Sequence, residues 1–341
     1  MGFFDKLFGK RPPPTLAATA AIEGHPVGLA FAAGDRKLAA LTGEGCLVVI
    51  DVKAGAVSSR ALVHEEGALA LAVDASTARI ATSGMDGRVC VTDASSGATE
   101  QDLTLAKGVW VEHLAWWNTT LVATHGKRVS LVDAKGGVRV VGDHASTVAA
   151  LSVVGDRLAV ARFGGADVYR LGHVIEGPTA LSWPSSLVSI AWSPDLRFVA
   201  AGCQDSALHF WRMPSGSDSM MGGYASKPKV IAWSPESDWL ASAGGPDVVV
   251  WRFAGQGPEG TTPLQLRAHA KSVSSLAYAL DGKLLVSGGR DGLVCVWKSG
   301  VEAEPIARFE LGGVIEHVAI SDDGAWIAAA SSEGSVAIYR R

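Results

Sequence analysis

Apolar triplets recur along the chain around a small residue, at Ala30, Ala72, Ala115, Ser152, Ala191, Ala232, Ala277 and Ala319, in steps of 42, 43, 37, 39, 41, 45 and 42 residues. Each of these anchors opens the same series. An apolar run such as Ile190-Ala191-Trp192 meets a turn such as Ser193-Pro194-Asp195. A second run follows, then a Gly/Asp turn, then a third run ending near Trp or Tyr. Runs of this length between turn residues predict three short strands. A fourth run, for example Thr262 to Leu266 or Pro305 to Phe309, links one unit to the next. Such a four-strand unit cannot bury its faces alone, so units repeated at a period near forty must stack on their neighbours.

The predicted fold class is all-β, a β-propeller of four-stranded antiparallel blades, eight by the spacing and seven as the alternative. Seven linking strands separate the eight units, and the last unit stops at Tyr339-Arg340-Arg341 with nothing after its third strand. Thr15 to Ile22 precedes the first unit and has strand length. It is expected to close the last blade and leave no open edge. The length of 341 residues would suit two domains, but a repeat ring is one architecture. The expected organisation is therefore a tail and Pro linker over 1–14 and the propeller over 15–341.

Five units place an acidic residue fourteen positions after the anchor, Glu44, Asp86, Asp205, Asp291 and Glu333; in the same units the residue at twenty is Ile50, Thr92, Trp211, Trp297 and Tyr339. Here the chain resembles the WD40 repeat family. The seventh unit carries the signature most fully, with His269, Ser287, Asp291 and Trp297, and the second carries His64, Thr82 and Asp86. In that family these residue types form a hydrogen-bonded tetrad inside a blade. A buried imidazole needs an acceptor and a carboxylate needs donors, and leaving either unpaired costs about 1–3 kcal/mol. Elsewhere the pattern loosens: Lys107, Trp183, Tyr224 and Leu311 stand where His is expected, and Trp-Arg or Trp-Lys replaces Trp-Asp. The resemblance spans about residues 15–341 and is strongest in the fifth to eighth units.

Charge and cysteine usage narrow the setting. Residues 15–341 hold 27 basic and 33 acidic side chains, a formal charge of −6, which argues against a nucleic-acid surface. No apolar stretch reaches the 18 residues of a membrane span. Cys46, Cys90, Cys203 and Cys295 fall in separate repeats without a C-x-x-C or Cys/His cluster. Scattered thiols suit a reducing cytoplasm, and no structural metal is expected. In the tail, Phe3, Phe4, Leu7 and Phe8 have helical spacing ahead of Pro12-Pro13-Pro14. That makes a candidate anchor for a membrane surface or a partner, or a segment folded back on the ring.

Catalytic signatures are few. The histidines His64, His144 and His269 and the acids at the repeated turn position have a structural explanation. Gly222-Gly223 and Gly244-Gly245 lack the Lys-Ser/Thr of a phosphate loop, and no G-x-S-x-G elbow occurs. No catalytic residue and no cofactor are therefore assigned. In WD40 proteins the turns before the first strand and between the second and third strands commonly bind peptides. Residues here that map to those turns and break the repeat are the candidate partner-binding set: Trp110, Lys107, Lys227, Met85, Gln204 and Arg290. The expected function is a non-catalytic scaffold for a protein or peptide partner. The alternative is a propeller enzyme, of the metal-dependent lactonase or quinone-cofactor dehydrogenase type, with a site near the ring axis.

Overall fold

The second and third strands of each unit are apolar almost throughout because neighbouring sheets cover both of their faces. Residues 38–42 and 47–50 of the first unit are buried without a break, whereas its outer strand, Ala56–Leu62, is largely exposed. A computed structural model describes residues 13–74, 77–255, 257–300 and 303–341. The candidate tail anchor Phe3, Phe4, Leu7 and Phe8 lies outside the described residues. Every element among those described is a strand.

The core sits between sheets. One cluster joins Leu38, Val48 and Ile50 of the first unit to Ala328, Val336 and Ile338 of the last, with Ile22 beneath them. Burying each Val, Leu or Ile contributes about 1.5–3 kcal/mol. The first strands neighbour one another in a closed order: Pro26–Ala32, Ala68–Val73, Val111–Trp117, Ala150–Val154, the end of Glu176–Trp192, Val230–Trp233, Val273–Tyr278, Ile315–Ile320 and back to Pro26–Ala32. Indoles stitch some of these junctions. Trp116 Nε1 donates to the Ala72 carbonyl (3.2 Å) and Trp233 Nε1 to the Ala191 carbonyl (3.3 Å), each reaching the anchor of the preceding unit.

Among the described residues the strands form seven hydrogen-bonded sheets, six of four strands and one of six. The expectation of eight separate blades is corrected to the seven-sheet alternative, and the cause is local. In the fourth and fifth units the long runs Arg157–Arg170 and Glu176–Trp192 change neighbour in mid-course. Arg157 to Ala161 pairs with Ala150–Val154, Phe163 to Arg170 pairs back to Ser186 through Glu176, and Leu187 to Trp192 pairs with Phe198–Cys203. Gly164 and Gly165, at φ +84° and +127°, supply the backbone freedom for the first switch. Two sequence units thus share one sheet.

The ring closes as the sequence implies. Thr15–Ala21 pairs antiparallel with Ser335–Arg340, from Thr15 opposite Arg340 to Ala21 opposite Ser335, and Ile22 N–H donates to the Gly334 carbonyl (2.8 Å). The crossing from one unit to the next is tight. A Cβ on Gly45 would lie 1.7 Å from the His64 carbonyl oxygen, and one on Gly87 would lie 1.9 Å from that of Ala106, both at positive φ. Only glycine fits these turns.

Candidate functional site

The turn between second and third strands lies against the turn leading into the same unit. Met85 N–H donates to the Gly67 carbonyl, Gln204 N–H to Ser186 and Arg290 N–H to Ser272, each at 2.9 Å. This puts Met85, Gln204 and Arg290 at one end of the ring, here called the upper end.

Just inside that end the repeat-keeping residues are drawn into chains of hydrogen bonds. In the seventh unit Trp297 Nε1 donates to Ser287 Oγ (2.9 Å), Ser287 Oγ meets His269 Nε2 (2.8 Å), and His269 Nδ1 meets Asp291 Oδ1 (3.1 Å). A carboxylate only accepts, so the proton belongs on Nδ1 and the chain runs one way: indole to hydroxyl to imidazole to carboxylate. Burial alone would raise the Asp291 carboxyl. The Ala270 N–H at 2.7 Å and the His269 ring override it and hold the group below its ordinary value. In the second unit His64 meets Asp86 at 3.0 Å and Thr82 at 3.0 Å; burial lowers its pKa, against the pull of Asp86.

Two further chains fill the same place with other residue types. In the sixth unit Trp251 Nε1 donates to Tyr224 Oη (2.9 Å), which lies 2.6 Å from Ser242 Oγ, and that hydroxyl donates to the Val249 carbonyl (3.1 Å). In the fourth, His144 Nδ1 lies 2.7 Å from Asp167 Oδ2, and Arg162 donates to both carboxylate oxygens at 2.8 and 2.7 Å. Burial acts upward on Asp167 but Arg162 and His144 outweigh it, leaving the carboxyl far below the usual carboxylate range. Sequence reasoning missed Asp167 because it stands fifteen positions after Ser152 and not fourteen. In the fifth unit Trp183 stacks on buried His209, with centroids 3.9 Å apart.

The repeat-breaking candidates behave differently. Trp110 is 52% exposed beside exposed Val109, Lys107 is exposed, and Arg290 and Gln204 are exposed. Lys227, half-buried, donates through Nζ to Gln204 Oε1 (3.0 Å), so these two form one feature across the fifth and sixth units. Met85 is half-buried. The set is spread around the upper end from the second unit to the seventh. Phe163, 63% exposed at the turn between the second and third strands of the fourth unit, was missed. The Gly164-Gly165 pair was the available signal for an exposed turn there.

Among the described residues no group of three His, Cys, Asp or Glu side chains is arranged to hold a metal ion. Burial pushes the thiols of Cys90, Cys203 and Cys295 up to about 12, which makes them poor nucleophiles. No described helix is long and apolar enough to cross a membrane.

The family model for the WD domain, G-beta repeat matches residues 172–212, 260–298 and 305–340. Among curated proteins, the chain is 27% identical over 144 residues to Cell division cycle 20.1, cofactor of APC complex, of Arabidopsis thaliana, covering 41% of this chain and 30% of the relative. It is 28% identical over 123 residues to the small ribosomal subunit protein RACK1 of Drosophila melanogaster, covering 34% of this chain and 38% of the relative. The chain thus spans about a third of the length of these relatives. Among solved structures, the computationally designed Ika8 protein superposes with a TM-score of 0.77 at 19% identity, over 94% of this chain and 98% of that one, a likeness of fold alone. Residues 172–212, 260–298 and 305–340, in the fifth, seventh and eighth units, thus match WD40 repeats.

Proposed function

We propose that this WD40-repeat propeller is a scaffold that holds a protein partner at its upper end and turns over no substrate of its own. One observation carries the reading. Residues that keep the repeat, such as His269, Ser287 and Asp291, are consumed in internal hydrogen bonds, while those that break it, Trp110, Gln204 and Arg290, stand exposed at the same end. An exposed indole and long polar side chains are the types that dominate binding energy at interfaces. The four unpaired cysteines support a cytoplasmic setting within the same proposal.

The test is a pull-down from the native cytoplasm followed by calorimetry with Trp110→Ala and Arg290→Ala. Truncating a buried interface indole costs about 2 kcal/mol, roughly thirtyfold in affinity. Unchanged affinity in both variants removes this face from the proposal. A metal or quinone that stays with the purified protein replaces it with the enzyme reading.

A further inference from the structure

The upper end is divided by charge. In the turns of the eighth, first and second units the carboxylates of Glu333, Glu23, Glu44, Glu65 and Glu66 stand exposed, and among the described residues only Glu23 is paired with a cation, Arg60 at 3.1 Å. The turns of the sixth and seventh units carry the opposite sign. Lys229, Lys271 and Arg290 are exposed there and Lys227 is half-buried, and among the described residues none of the four is paired with a carboxylate. The one partner of Lys227 Nζ is the neutral amide of Gln204. On a propeller of formal charge −6, this concentration of cations runs against the balance of the molecule.

The fold fastens these four side chains around one turn. Ser226 N–H donates to the Gly244 carbonyl (2.6 Å), Val273 N–H to the Gly245 carbonyl (2.9 Å) and Arg290 N–H to the Ser272 carbonyl (2.9 Å). Gly244-Gly245 therefore lies between the turn of Lys227 and Lys229 and the turn of Lys271, and it puts no side chain between them. A Cβ on Gly244 would lie 2.1 Å from the Ser226 carbonyl oxygen, so the floor stays bare. The carboxylates in the same turns are already engaged, Asp247 by Arg267 (3.3 Å) and Asp291 by His269 (3.1 Å) and the Ala270 N–H (2.7 Å). Even with these counted, the turns of the two units hold the cations Lys227, Lys229, Arg267, Lys271 and Arg290 against Asp247 and Asp291. Exposed charges add little affinity one by one, but a patch of one sign decides which partner docks and which is turned away.

Resting on the reading of the upper end as the dock, we propose that the partner segment held there is an acidic peptide, its carboxylates facing Lys227, Lys229, Lys271 and Arg290 over the sixth and seventh units. The patch suits a short acidic segment better than a long polyanion. Exposed Glu333 in the eighth unit bounds it on one side and exposed Asp205 in the fifth on the other. A nucleic acid, charged at every residue, would meet carboxylates wherever it left the two units. A peptide can confine its acidic residues to the stretch that crosses them.

The experiment is selection of random displayed peptides on the full chain, followed by anisotropy titration of a synthetic copy of the most enriched one. Enriched peptides should carry more carboxylates than cations. Replacing those carboxylates by amides, or raising salt from about 0.05 to about 0.3 M, should weaken binding about tenfold. Lys229→Gln combined with Lys271→Gln, both at exposed positions, should weaken it by about the same factor, while Glu65→Gln combined with Glu66→Gln should not weaken it. Enriched peptides without excess carboxylates whose binding is lost in Trp110→Ala overturn the acidic partner and leave the upper-end dock standing. If no selected peptide depends on any upper-end residue, the dock and the acidic partner fall together. Oligothymidylate that binds more tightly than every selected peptide, and is released by the lysine double variant, also overturns the proposal and assigns the patch to nucleic acid.

Discussion

At the scale of single residues, this chain shows how one hydrogen-bonding requirement is met by different chemistries. His269 with Ser287 and Asp291, Tyr224 with Ser242 and Trp251, and Arg162 with Asp167 and His144 form hydrogen-bonded groups at the same place in their units, the last leaving His144 Nε2 without a partner among the described residues. His269→Ala should lower stability by about 1–3 kcal/mol in urea unfolding, because Ser287 and Asp291 lose a partner; partner binding should persist. If stability is unchanged and binding is lost, His269 belongs to the site. The histidines also set a pH window. Burial, with His25 adding to it, pushes His317 down to about 4, and burial lowers His64 and His113 as well. The folded state holds these rings neutral, whereas the unfolded chain takes up protons below about 6.5. Their contribution is therefore intact above that pH and lost progressively as pH falls toward 4. Unfolding at pH 7 and pH 5 should show the drop, and His317→Gln should flatten it by about 2 kcal/mol at most, because pH 5 lies about 1.5 units below the unfolded value.

At the scale of elements, the strand Thr15–Ala21 is the piece whose removal should matter most for its length. It covers the third strand of the last unit, Ser335–Arg340, which otherwise presents a row of unpaired N–H and C=O groups. Deleting residues 1–22 should produce a protein that aggregates on purification, while deleting 1–11 should leave solubility unchanged. Light scattering on both truncations decides it, and equal solubility counts against the closure. This element was legible in the sequence, because a repeat that lacks its fourth strand at one terminus and has a spare strand at the other allows one completion. The shared sheet of the fourth and fifth units was not legible. Periodicity records how often a strand occurs, whereas the switch at Phe163 to Gly165 depends on which neighbour a strand meets in mid-course.

For the whole molecule, the ring separates two surfaces that the sequence presents as one repeating string. The upper end collects Trp110, Gln204, Lys227 and Arg290, each from a different unit, and its membership could be read from the register of the turns. The chains of hydrogen bonds were legible wherever residue types were kept. They were hidden where Tyr224 or Arg162 took over the role, since type was the only signal available. The exception at Trp192, whose buried indole N–H has no acceptor among the described residues, was hidden for another reason. The sequence places that tryptophan with Trp116 and Trp233, and only the packing of two adjacent units shows that its indole is left without the carbonyl the others find.

The pairing of Thr15 with Arg340 also orders events in time. These residues are about 325 positions apart in the chain, so at about 5–20 residues per second a ribosome needs roughly 16–65 seconds between making one and making the other. Of the described strands in the ring, Thr15–Ala21 is therefore made first and completed last, because its partner Ser335–Arg340 is the last to be synthesised. Slower synthesis lengthens the interval in which Thr15–Ala21 waits for that partner.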